Sequence, residues 1–158
     1  MSGEGRTDTG FAMRSDLRVA VVAACWHAEV QEAMLASSIA TCEELGIEPT
    51  VVRVPGAFEL PVVAQRLAAT HDAVVALGTI VRGGTPHFEY VADAVTSGLT
   101  RVSLDTGVPV GFGVLTCDDA AQARDRSGLP GSSEDKGREA AEAALAAATI
   151  LANLGLGE

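Results

Sequence analysis

At 158 residues the chain is long enough to bury a sizeable core and too short for two domains of ordinary size. Its 47% hydrophobic content with only 4% aromatics describes an aliphatic, alanine-rich α/β protein rather than a disordered one. The formal charge of −10 argues against nucleic acid as a partner, because phosphate binding needs clustered Lys and Arg, and marks a well-solvated surface.

Residues 1–16 carry Gly, Ser, Thr and charges with no apolar centre, so they read as a mobile tail and not as a signal peptide. The rest, 17–158, reads as a single domain. Leu17 to Ala23 is a β-branched run suited to a buried strand. A helix is predicted from Ala28 to Leu45, with Val30, Ala33, Met34, Ser37 and Thr41 on one face and Gly46 closing it. Thr50 to Val54 is a second strand, stopped by Pro55-Gly56, and a helix is predicted over Glu59–Thr70.

Ala73 to Gly78, uncharged throughout, suits the middle of a parallel sheet. In the next helix Phe88, Val91, Ala92, Val95, Leu99 and Val102 recur at three- and four-residue steps. Val108 to Leu115 is a fourth strand, Asp118 to Arg126 a short helix, Gly128 to Ser133 a loop, and Glu134 to Asn153 the last helix. Alternation of this kind predicts a parallel sheet with helices on both faces and right-handed crossovers. Ligands of such sheets bind beyond the carboxyl ends of the strands, so the segments after Ala23, Val54, Gly78 and Leu115 are where chemistry is sought.

The loop after the third strand carries the strongest signal. Thr85 is a suitable N-cap and Pro86 suits the first helical position. Gly83 and Gly84 let a ligand approach the backbone, and the unpaired amides of the helix start make an anion site. His87 falls in the first turn, where the dipole favours a neutral imidazole able to move protons near pH 7. After the fourth strand, Arg124 and Arg126 share one helix, and the pattern does not choose which of them meets a ligand. Cys117 lacks an obvious base and reads as a packed residue. Glu59 either complements a helix dipole or accepts hydrogen bonds from a polyol or heterocycle. Trp26, the only tryptophan, either stacks on a flat ring or packs as an ordinary side chain.

Dinucleotide and P-loop signatures are missing, as are a nucleophile elbow, a zinc helix and the acidic cluster of a receiver domain. Cys25, Cys42 and Cys117 form an odd, scattered set, so no metal is expected and reduced cytoplasmic thiols are the simplest account. No segment approaches the length of a membrane span. Lys136 is the only lysine, so any side-chain ammonium role falls there.

Taken together, three blocks resemble lumazine synthases: Val54-Pro55-Gly56-Ala57-Phe58-Glu59-Leu60-Pro61, Ala76 through Tyr90, and Gly113-Val114-Leu115-Thr116. Gln122-Ala123, Asp125-Arg126 and Asp135-Lys136-Gly137 add shorter matches, and the resemblance covers Leu17 to Leu154. It implies a three-layer flavodoxin-like sandwich around a four-stranded parallel sheet. It also implies condensation of 5-amino-6-ribitylaminouracil with 3,4-dihydroxy-2-butanone 4-phosphate to 6,7-dimethyl-8-ribityllumazine, with no cofactor. Carried over by motif, His87 would transfer protons, and Arg126, with Gly84 and Thr85, would hold the phosphate. Trp26 would stack on the pyrimidine, while Ala57, Phe58, Glu59, Ile80 and Val81 would contact the ring and ribityl chain. Phe112 would come from a neighbouring subunit, and Lys136 would lie near the phosphate and ribityl end.

The chain departs from the family pattern at Cys117, where Thr is common, Ala121, where Glu is common, and Ser127, where Ala is common; none is a proposed catalytic group. The resemblance further implies a homopentamer with active sites at subunit interfaces, and riboflavin synthase as a candidate partner. The stretch from Ser127 to Asp135 is longer than in shell-forming members, which favours a free pentamer over a hollow shell. Two other functions stand beside the enzyme: a non-catalytic flavin- or lumazine-binding protein and a purely structural shell protein. Both lose ground because His87 and Arg126 are present.

Overall fold

The β-branched and small apolar runs form four strands, and the segments between them form helices that return the chain to the start of the sheet. The computed structural model describes residues 12–155. Its elements are β1 (Val19–Ala24), α1 (Ala28–Glu43), β2 (Thr50–Val54), a 3₁₀ turn (Ala57–Glu59) and α2 (Leu60–Ala68). They continue with β3 (Ala73–Val81), α3 (His87–Thr106), β4 (Val110–Cys117), α4 (Ala120–Asp125) and α5 (Lys136–Gly155). All strand pairs are parallel and the order is β2-β1-β3-β4, with β1 and β3 in the middle. Both central strands are buried almost throughout, as their uncharged sequences require.

Alternate strand residues feed two cores. On one face Val19, Val21, Val75, Leu77 and Leu115 pack against Met34 and Leu35 of α1 and Ala141, Ala144 and Leu145 of α5. On the other, Val22, Val74, Ala76, Ile80 and Val114 pack against Leu60 and Ala64 of α2 and Val95, Leu99 and Val102 of α3. This is the three-layer flavodoxin-like sandwich expected from the sequence. The small residues of α5 bring it into backbone contact with its neighbours. A Cβ on Gly137 would lie 2.3 Å from the carbonyl oxygen of Met34, and one on Gly111 would lie 2.2 Å from that of Ala140.

Several boundaries differ from the sequence reading, each for a physical reason. β3 does not stop at Gly78 but runs to Val81, because β4 keeps pairing with it as far as Val81–Cys117. The segment read as one helix from Glu59 begins instead with the 3₁₀ turn, and α2 proper starts at Leu60. Pro86, not Thr85, is the N-cap of α3, and no side chain caps that end; the first helical residue is His87. On α4 the cap is Asp119, whose side chain accepts from the Gln122 N–H at 2.8 Å.

The buried face of α1 includes Gln31 and Ser38, while Ala33 and Ser37 lie at its margin. Of the expected tail, residues 1–11 lie outside the described residues. Met13 packs on the α1–α5 core, and the Arg14 N–H donates to Thr149 Oγ1 at 3.0 Å. Among the described residues no helix is long and apolar enough to cross a membrane.

Candidate active site at the strand ends

A cleft of about 370 Å³ opens beyond the carboxyl ends of β1, β2 and β3. It lies where the strand order reverses around β1 and β3, the position at which sheets of this type bind ligands. Trp26 and His27 form one wall, Ala57 and Phe58 another, and Thr79, Ile80 and Val81 the floor. Gly83, Thr85, His87, Phe88 and Val91 close the remaining side. Trp26 is 68% exposed and Phe58 64%, so each ring offers a face that the chain itself leaves uncovered.

Two backbone features shape this cleft. His27 has φ 56° and ψ 58°, the only non-glycine residue in the left-handed region among those described, and it turns the chain abruptly from β1 into α1. Such a conformation costs roughly 1–3 kcal/mol and persists only where its surroundings hold it. Gly78 allows the 3₁₀ turn to sit directly on β3: an added Cβ would meet Leu60 Cδ1 at 3.0 Å and Ala57 Cβ at 3.4 Å. The glycine read as a strand end is thus a point of close approach. The carboxylate of Glu59 accepts from the Gly56 N–H at 2.9 Å, which fixes the turn beside Trp26.

The Gly83–Thr85 loop is pinned at its base. The Arg82 N–H donates to the Cys117 carbonyl at 2.8 Å. Its side chain pairs with Glu89 and, at 3.0 Å, with Asp118, and its guanidinium lies 4.3 Å from the Phe88 ring centroid. Gly83 and Gly84 have nothing within 4 Å of an added Cβ. Internal packing therefore does not require them, and the space beside them is open to a ligand.

A second groove, about 790 Å³, runs along the outer side of β4 between α3 and α5. Phe112, Arg126 and Lys136 line it, together with Glu134 and Glu139. The Lys136 N–H donates to the Arg126 carbonyl at 2.9 Å, so the backbone itself brings the two cations together. The loop between them is held by Asp125, which accepts from the Ser133 N–H at 3.0 Å and its hydroxyl at 2.6 Å. Burial disfavours the Lys136 charge, but the hydrogen bonds it donates to Glu134 and Glu139 outweigh it, and the pKa stands above the ordinary lysine value. Arg124 turns away to pair with Glu29 on α1, whereas Arg126 faces the groove and donates to the Gln122 carbonyl at 3.0 Å. Burial raises the Cys117 thiol pKa against the pull of Arg126, as befits a packed residue.

The residues singled out from the sequence thus fall into two sets. Trp26, Ala57, Phe58, Ile80, Val81, Thr85 and His87 line the cleft; Glu59 and Gly84 flank it without lining it. Phe112, Arg126 and Lys136 occupy the groove on the far edge of the sheet. His27, Thr79, Phe88 and Val91 were not foreseen as lining residues. For Phe88 and Val91 the signal was present in the helical periodicity that follows His87. Among the described residues, no group of three or more His, Cys, Asp or Glu side chains could hold a metal ion.

Comparison with known proteins gives a consistent result. The 6,7-dimethyl-8-ribityllumazine synthase family profile matches residues 16–152. A 6,7-dimethyl-8-ribityllumazine synthase of Pseudarthrobacter chlorophenolicus is 59% identical over 157 residues, covering 96% of this chain and 98% of its own. That of Frankia casuarinae is also 59% identical, over 99% of both chains. That of Paenarthrobacter aurescens reaches 61% over 87% of this chain and 86% of its own. With the profile spanning the whole sheet and both loop sets, and relatives matching at this identity from end to end, the chain belongs to the 6,7-dimethyl-8-ribityllumazine synthase family.

Proposed function

We propose that the chain carries out its family's reaction in the cleft between β1, β2 and β3, completed by Phe112, Arg126 and Lys136 of a neighbouring copy. The reaction condenses 5-amino-6-ribitylaminouracil with 3,4-dihydroxy-2-butanone 4-phosphate to give 6,7-dimethyl-8-ribityllumazine, phosphate and water, the penultimate step of riboflavin biosynthesis. The observation that carries the two-copy reading is the separation of the anion-binding arginine and lysine from the histidine cleft. Arg126 and Lys136 line the groove on the edge strand β4, whereas His87 lines the cleft on the other side of β3.

The uncovered indole of Trp26 supplies a stacking face for the pyrimidine, with Ile80 and Val81 beneath it. The backbone around Ala57 and Phe58, held by Glu59, presents groups to the ring and the ribityl chain. Amides of the Gly84-Thr85 loop, at the positive end of α3, meet the phosphate from one side and Arg126 meets it from the other. The amine attacks the ketone and loses one water to form an imine, phosphate leaves, and ring closure expels a second water. His87, at the first turn of α3 and open to the cleft, is placed to carry the protons these steps move. Much of the acceleration then comes from holding the two reactants in reacting geometry.

The exposed apolar residues beside the groove suit an assembly. Leu104 and Phe112 line a hollow of about 340 Å³ between α3 and β4, and β4 presents an unpaired strand edge. We assign the oligomer as a homopentamer with shared sites. Three free thiols, including the exposed Cys25, suit a reducing compartment and the cytoplasm.

The test is steady-state formation of lumazine, followed by absorbance and fluorescence. His87→Ala is expected to lower kcat by about 10–100-fold, in the range of a lost general acid–base, with both KM values little changed. Arg126→Ala is expected to raise the KM for the butanone phosphate about tenfold or more and to leave that for the pyrimidine nearly unchanged. Equal losses for the two substrates in the arginine variant would count against the phosphate assignment. Binding of both substrates with no product would leave only a lumazine-binding protein.

A further inference from the structure

The cleft exists because two central strands part company. β1 pairs with β3 from Val19–Ala73 to Ala23–Leu77 and no further, while β3 runs on to Val81 beside β4. Ala24, the last residue of β1, keeps a partner only in β2, at Val54. Beyond Leu77 the side of β3 that faced β1 therefore has peptide groups with no strand to pair with. Left buried and unpaired, such groups would oppose the split.

Gln31 fills the gap. It is fully buried, at 0% exposure, one turn into α1 and beyond the reach of any ligand in the cleft. With its amide oriented to satisfy both ends, Oε1 accepts from the Thr79 N–H at 3.1 Å and from the Thr79 hydroxyl at 2.7 Å, and Nε2 donates to the Leu77 carbonyl at 3.3 Å. In a parallel ladder a residue opposite Gly78 would accept from the Thr79 N–H and donate to the Leu77 carbonyl. The Gln31 carboxamide does both, so a side chain substitutes for the peptide that β1 withdraws. Its own N–H donates to the His27 carbonyl at 3.0 Å, which ties the same residue to the left-handed turn carrying Trp26.

We infer that Gln31 is a positioning residue for the pyrimidine slot: its side chain replaces a strand peptide along β3 and fixes the spacing between the Trp26–His27 turn and the Thr79–Val81 floor. This rests on the cleft being the pyrimidine site. Thr79, which lines the cleft while its hydroxyl points to Gln31, transmits the contact. The butanone phosphate, held by the Gly84-Thr85 loop and Arg126, lies outside this linkage.

The assay pairs steady-state kinetics with quenching of Trp26, the only tryptophan, on titration with 6,7-dimethyl-8-ribityllumazine. Gln31→Leu is expected to raise the pyrimidine KM and the lumazine Kd about tenfold, with the butanone phosphate KM changed less than about twofold. Thr79→Val, which keeps the shape and removes only the hydroxyl, should raise the same two constants about threefold, and Thr79→Ser should restore them. If Gln31→Leu fails to fold, the Thr79 pair carries the test. Parallel losses for both substrates, an effect on kcat alone, or a Thr79→Val variant equal to the wild type would overturn the inference. No quenching of Trp26 by lumazine in the wild type would instead remove the cleft reading, and the inference with it.

Discussion

Arg82 joins three elements within one side chain: the end of β3, the first turn of α3 through Glu89 and Phe88, and the end of β4 through Asp118. The guanidinium holds the carboxyls of Glu89 and Asp118 below their ordinary range, by side-chain hydrogen bonds first. Because both folded values are depressed, the stabilisation is present above the unfolded pKa of about 4 and is lost as pH falls through the lowered values. Arg82→Gln should therefore begin acid unfolding at higher pH than the wild type, as followed by circular dichroism. An unchanged acid profile would show that these exposed pairs hold nothing. His87 could be read from the sequence because a proline one residue earlier marks its helix start. Gln31 could not, because the strand split that makes a buried amide useful arises only when β1, β3 and α1 come together.

At the scale of elements, α1 and α5 approach as closely as backbone against backbone at Gly137. A Cβ on Gly137 would lie 2.3 Å from the Met34 carbonyl oxygen and 2.7 Å from its Cα, and neither can move without shifting α1. Overpacking typically costs roughly 1–3 kcal/mol, and a backbone obstacle places Gly137→Ala at the upper end. For a domain of this size that is a fall in Tm of about 6–10 °C. A loss under about 2 °C would mean that the helices can separate cheaply.

The elements themselves were readable from period and punctuation: alternating apolar runs, Gly46 and Pro55-Gly56 all mark real ends. Gly78 misled because a glycine that stops a strand and one that admits a neighbour look alike in sequence. The 3₁₀ turn before α2 was hidden for a similar reason, since its shape depends on Ala57 and Leu60 resting on that glycine.

For the molecule as a whole, strand order decides where the site can be. β4 lies at the edge of the sheet, so Phe112, Arg126 and Lys136 face outward along it, while the residues after β1, β2 and β3 converge on the cleft. Sequence spacing cannot show this, because Arg126 follows His87 along the chain whichever copy it serves. The family resemblance placed Phe112 across an interface; the groove places Arg126 and Lys136 beside it. This arrangement makes a quantitative prediction for mixed assemblies. His87→Ala subunits lack the histidine and keep the arginine, and Arg126→Ala subunits do the reverse. In the proposed pentamer, assembled from equal amounts of both, a site would be intact only where a subunit with His87 borders, on the correct side, one with Arg126. Random assortment makes that about one site in four. With butanone phosphate held well below its KM, co-refolded or co-expressed mixtures should gain about a quarter of wild-type turnover above the residual activities of the two variants, while mixtures of separately assembled rings show only those residual activities. Were both residues to serve the same site from one chain, every site would lack one of them and no mixture would rise above the residual activities of the two variants.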